Sequence, residues 1–104
     1  MKLDRNATTE GRGKYGLIKL RGLDVQAPHI RAALNTLWEA GALDWGPVGT
    51  ETEFFVIRLR DVCAQRALHA YAEAADSIDT EYAAEVMALG DRAGPDSPFC
   101  KRPD

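Results

Sequence analysis

Cysteine is scarce in this chain. Two occur in 104 residues, Cys63 and Cys100. Neither belongs to a CxxC pair, and neither His29 nor His69 stands at a ligand spacing from them. A tetrahedral zinc site built by one protomer needs four ligands in plausible pairs, so no metal is expected. Long apolar runs are missing too. The stretch Phe54-Phe55-Val56-Ile57 is as long as any, against the ~20 residues of a membrane span. The opening Met1 to Asn6 has no apolar core of a secretory signal. The expectation is a cytoplasmic chain that makes no membrane contact and keeps both thiols reduced. Catalytic signatures are lacking as well: there is no GxSxG, no HExxH and no GxxxxGK[ST]. Gly11-Arg12-Gly13 is too short to cradle a phosphate. No catalytic residue and no cofactor is predicted, and the chain is not expected to be an enzyme.

The composition that remains is that of an ordinary globular protein, 45% apolar and 28% charged, with a length that suits one domain. The net charge of −3 conceals a strong polarity. Residues 1–22 hold six basic side chains (Lys2, Arg5, Arg12, Lys14, Lys19, Arg21) and two acidic ones. Residues 61–96 hold Arg66 and Arg92 against eight acids. Such asymmetry bears on partners and encounter rates rather than on fold.

Residues 1–13, polar and basic without periodicity, read as a flexible arm. A single domain is predicted over 14–94, with an irregular proline-containing tail over 95–104. Lys14 to Arg21 is a strand candidate. Pro28 suits a first helical position, where its missing N–H has no helical partner anyway. Ile30, Ala33, Leu34, Leu37 and Trp38 then form one helical face, which Gly41 ends. Residues 42–60 read as a hairpin with a long loop around Gly46-Pro47. Its second strand, Glu53 to Arg60, is aromatic and β-branched. Asp61 is a candidate N-cap for a helix with Ala64, Ala67, Leu68, Tyr71, Ala72 and Ala75 on one face. Asp79 caps a third helix with apolar Tyr82, Ala83, Val86 and Met87, which Gly94-Pro95 ends. The order β-α-β-β-α-α predicts an α+β two-layer sandwich, a three-stranded sheet with helices on one face.

Tyr15 to Arg21 matches Phe54 to Arg60 at an offset of 39 residues: aromatic, any, aliphatic, Ile, basic, Leu, Arg. Shared physical demands on two strands of one sheet explain the match without duplication. Alternation would turn Ile18, Leu20, Ile57 and Leu59 toward the helices. The opposite face would then carry Tyr15, Lys19, Arg21, Phe54, Arg58 and Arg60. Two readings of that face stay open. Aromatics among cations can stack bases while Arg holds phosphates, or long cationic stems can simply cover an apolar row and keep their charges wet. A third use of the same row is contact with a second copy of the chain, giving a homo-oligomer. The acidic helices offer a separate candidate: Glu73, Asp76, Asp79, Glu81 and Glu85 can imitate nucleic-acid phosphates toward a basic partner. His69 and Glu73 stand four apart and suit a surface pair. Cys63, near a helix start, reads more simply as a small packed residue than as a reactive thiol. Trp38 and Trp45 read as core or core-edge aromatics, and an exposed Trp45 beside Gly46-Pro47 would be a binding anchor.

The run Asp44-Trp45-Gly46, the segment Gly49 to Asp61 and the ending Ser97 to Asp104 resemble small proteins of proteobacteria, their prophages and plasmids. The resemblance extends over most of the chain. It carries no activity and assigns no role to any residue. It implies a mobile-element setting, with which nine Arg against four Lys and sixteen Ala agree as marks of a GC-rich coding sequence. Small phage proteins without catalytic motifs often act by binding a host protein. The expected function is therefore a non-enzymatic inhibitor or modulator, of the anti-CRISPR kind, blocking a surface of a host protein or nucleoprotein complex. The alternative is a nucleic-acid-binding domain using the basic and aromatic sheet face.

Overall fold

The computed structural model describes residues 13–104. The predicted basic arm, apart from Gly13, lies outside the described residues. Three α-helices follow one another: α1 (Pro28–Glu39), α2 (Ala64–Ala75) and α3 (Thr80–Asp91), with a 3-10 turn at Gly94–Asp96. The three-stranded sheet of the expected α+β sandwich is absent: the described residues contain no strand, and their only ladder element is one parallel bridge between Asp61 and Lys101. Residues 15–20 and 53–58 are without regular structure. The reason lies in backbone pairing. A β-prone sequence becomes a strand only when a neighbour takes up its N–H and C=O groups. At the end of the second segment they are claimed elsewhere. The Leu59 carbonyl accepts from the Gly94 amide at 2.7 Å, and the Arg60 carbonyl accepts from the Lys101 amide at 2.9 Å. The chain beyond α3 pairs there instead, through these bonds and the single bridge of Asp61 with Lys101.

The chain divides into two units, and the divisions fall inside the two look-alike segments, between Tyr15 and Gly16 and between Phe55 and Val56. The first unit holds the described residues 13–15 and 56–104. Its centre is an antiparallel pair, α2 and α3, joined by the short connection 76–79. The pair packs on small side chains. Ala72, Ala75, Tyr82, Ala83 and Val86 are buried together, with Leu68 and Met87 half-buried against them. Alanine on the facing stripe lets the helices approach closely. Gly90 continues that stripe, since a Cβ there would come within 2.6 Å of the His69 ring. The Tyr71 and Tyr82 rings meet edge to face, 6.3 Å apart at 79°. The predicted faces of both helices are largely confirmed, though Ala67 and Tyr71 of the α2 face are exposed.

The expected aspartate cap is found at α3 but not at α2, whose N-cap is Cys63 without a side-chain cap bond. The Asp79 carboxylate accepts from the Tyr82 amide at 3.0 Å, closing the first turn of α3. The Asp61 carboxylate accepts from the Cys63 amide at 2.7 Å, one turn before α2. Beyond α3 the chain returns along residues 59–62. Gly94, at φ +60°, makes the reversal and brings Ala93 into full burial. The Val62 amide donates to the Lys101 carbonyl at 2.9 Å, which closes the bridge. The segment predicted as an irregular tail thus carries a 3-10 turn and a backbone-pairing site.

The second unit is Gly16–Phe55. Pro28 stands in the first turn of α1, as expected. Gly41, at φ +74°, ends the helix: the Ala42 amide donates to the Leu37 carbonyl and the Gly41 amide to the Trp38 carbonyl, a Schellman closure. Downstream, the Asp44 carboxylate accepts from the Gly46 amide and the Pro47 carbonyl accepts from the Thr50 hydroxyl at 2.6 Å. The Phe54 ring lies where a Cβ on Gly46 would sit. No residue of 16–55 is fully buried. The amphipathic face of α1 forms as read, but Leu37 and Trp38 on it remain exposed.

Candidate functional site

The α2–α3 pair presents anions at the end where its helices join. Glu73 and Asp76 stand one turn apart over the C-terminal end of α2. Asp79 and Glu81 stand at the start of α3, and Glu85 lies one turn further on. Asp79 and Glu81 have a local reason to be acidic, because carboxylates suit the positive end of a helix dipole. Glu73 and Asp76 have none: they lie at the negative end of α2, where the dipole favours cations. Among the described residues no ion pair engages Glu73, Asp76 or Glu81. Between the helices Ile78 projects at 83% exposure. The connection holding it is tight, with the Ile78 and Asp79 amides both donating to the Ala75 carbonyl at 2.9 Å. The result is an apolar knob bordered by carboxylates on the best-packed element described. Ile78 escaped the sequence reading because one apolar residue between two helices breaks no period.

The six residues expected on one sheet face do not share a sheet. Lys19, Arg21 and Phe54 belong to the second unit; Tyr15, Arg58 and Arg60 belong to the first. Tyr15 lies with the Lys14 ammonium 5.7 Å from its ring centre. Arg58 and Arg60 do come together, around a carboxylate from the end of the chain. Asp104 receives Lys101 Nζ at 3.1 Å, Arg60 Nη2 at 3.3 Å and Arg58 Nε at 3.8 Å. The Lys101 ammonium and the Arg60 guanidinium hold the Asp104 carboxyl below its ordinary range. The Arg60 Nε is buried and finds no acceptor among the described residues. Lys101 and Asp104 were missed because a pairing 44 residues distant from Arg60 leaves no local spacing to read.

His69 pairs with Asp91, Nε2 to Oδ1 at 2.9 Å, rather than with Glu73. Cys63 and Cys100 are free and exposed, so the packed role expected of Cys63 does not hold. Trp38 and Trp45 are exposed, the former at 55%. A shallow depression lined by Glu85, Ala88, Leu89 and Arg92 gathers no reactive set. Among the described residues no group of His, Cys, Asp or Glu is placed to hold a metal ion. No described helix is long and apolar enough to cross a membrane.

No protein-family profile matches the chain, no curated protein matches its sequence, and no solved structure matches its fold.

Proposed function

We propose that the chain is a non-enzymatic, cytoplasmic binding protein whose α2–α3 end seats on a basic surface of a host protein or nucleoprotein complex. Steric blocking in the manner of phage and mobile-element inhibitors, the anti-CRISPR kind included, is the mode of action that this reading assigns. One observation carries it: Glu73 and Asp76 stand exposed at the negative end of α2, where they oppose the dipole, beside the exposed Ile78. Carboxylates that cost the helix stability and meet no described cation are explained by a cation outside the chain. Ile78 supplies the desolvated anchor that charge alone lacks, and the surrounding acids accelerate encounter. The competing nucleic-acid reading required a basic sheet face, which has no sheet to stand on.

The test is affinity capture from bacterial lysate with the intact chain and with a triple variant carrying Glu73→Lys, Asp76→Lys and Glu81→Lys. The expected result is one stoichiometric partner with the parent chain and its loss with the variant. Cations over the end of α2 suit its dipole, so the substitutions at Glu73 and Asp76 should not unfold the hairpin, and circular dichroism checks this. Equal recovery by a folded variant would overturn the assignment. An Ile78→Asp variant should lose the partner as well, since it removes the anchor and leaves the acids.

A further inference from the structure

Away from the acidic end of the hairpin, Arg58, Arg60 and Lys101 converge on a single carboxylate. We propose that this cluster is a receptor site for a phosphate group, and that Asp104 occupies it as a tethered substitute. Three cations converge on the Asp104 side-chain carboxylate, at 3.1, 3.3 and 3.8 Å. Arginine presents its donors in a fork that fits phosphate oxygens.

The cluster is also set by backbone that does not depend on Asp104. The Asp61 amide donates to the Arg58 carbonyl at 3.0 Å, forming the turn that carries both arginines. The Lys101 amide donates to the Arg60 carbonyl, and the Lys101 carbonyl accepts from Val62, each at 2.9 Å. These bonds fix three cationic residues from two distant stretches side by side. The Arg60 Nε is buried while its Nη2 faces the carboxylate, so the guanidinium is oriented by its surroundings. Asp104, by contrast, is held among the described residues by side-chain ion pairs alone. Removing its charge therefore frees the site without dismantling it. The inference is independent of the hairpin reading, which uses other residues.

The experiment is a titration of the full chain and of its Asp104→Asn variant with inorganic phosphate at low ionic strength, followed by amide shifts in ¹⁵N–¹H spectra. The amides of Arg60, Asp61 and Lys101 should move, and Asp104→Asn should bind at least about threefold tighter, the scale of a released exposed ion pair. Adding Arg60→Gln to that variant should abolish the response while the α2 and α3 amides stay in place. A second arm uses a short single-stranded oligonucleotide. If the same amides move with roughly tenfold or greater tightening over phosphate, the phosphate belongs to a nucleic-acid backbone. If affinity per phosphate is unchanged, the site takes a free phosphate or a small phosphorylated molecule. Unmoved cluster amides in Asp104→Asn, or equal affinity in both chains, would overturn the proposal.

Discussion

Single residues set the ends of the helical pair. Asp79 is the clearest case, because its carboxylate satisfies an amide that the first turn of α3 leaves without a partner. Asp79→Ala should cost about 1 kcal/mol, the usual worth of such a cap, read as a lower urea midpoint at unchanged slope. Gly94 is a second. At φ +60° an L side chain is strained, and a Cβ would also press on Gln65 and the Val62 carbonyl at 3.2 Å. Gly94→Ala should therefore destabilise by about 1–2 kcal/mol, detectable in the same unfolding experiment. The Asp79 cap, Gly41 and Pro28 were legible beforehand because capping chemistry is local: the partner amide lies within a few residues. Gly94 was legible only as the end of a helix. Its part in bringing residues 94–101 back along 59–62 depends on the distant carbonyl of Leu59.

At the level of elements, α1 and the α2–α3 pair differ in kind. Each has an apolar stripe at helical spacing. The stripes of α2 and α3 meet each other and bury Ala72, Tyr82 and Val86. The stripe of α1 buries no residue fully. A helix of twelve residues is marginal in water without tertiary packing. Amide hydrogen exchange should accordingly be fastest in α1, with protection at least about tenfold lower than in the middle of α2 and α3. Equal protection in all three helices would contradict this picture. The two β-prone segments failed as strands for the related reason that pairing is non-local. Tyr15 to Arg21 and Phe54 to Arg60 carry the right residue types, yet a residue type cannot specify which neighbour will take its hydrogen bonds.

On the scale of the molecule, charge is distributed between an acidic helical end and a cationic cluster, and the latter responds to pH. Asp104 has a folded-state value below its ordinary one, held there by Lys101 first and Arg60 next. With the folded value depressed, its contribution to stability is present above the unfolded value and is lost as pH falls through the folded one. Titration of the Asp104 carboxyl by NMR should give a midpoint below that of an unstructured aspartate. In Asp104→Asn the part of the acid limb due to this residue should disappear. An ordinary midpoint would mean that the three cations do not hold the carboxylate in solution.

What the sequence determined alone was what repeats or caps within a turn: three helices, their apolar stripes, the aspartate start of α3 and the glycine that closes α1. It also determined the charge polarity, which is a count. Only the tertiary structure decided that no described segment pairs into a sheet, that Arg58 and Arg60 meet Lys101 and Asp104, and that Ile78 projects among carboxylates. The physical reason is range. Helical bonds and caps join residues a few positions apart, so their chemistry is written in adjacent letters. The pairing of residues 59–62 with 94–101 joins stretches far apart in the chain, and it is selected by competition among all the unsatisfied backbone groups.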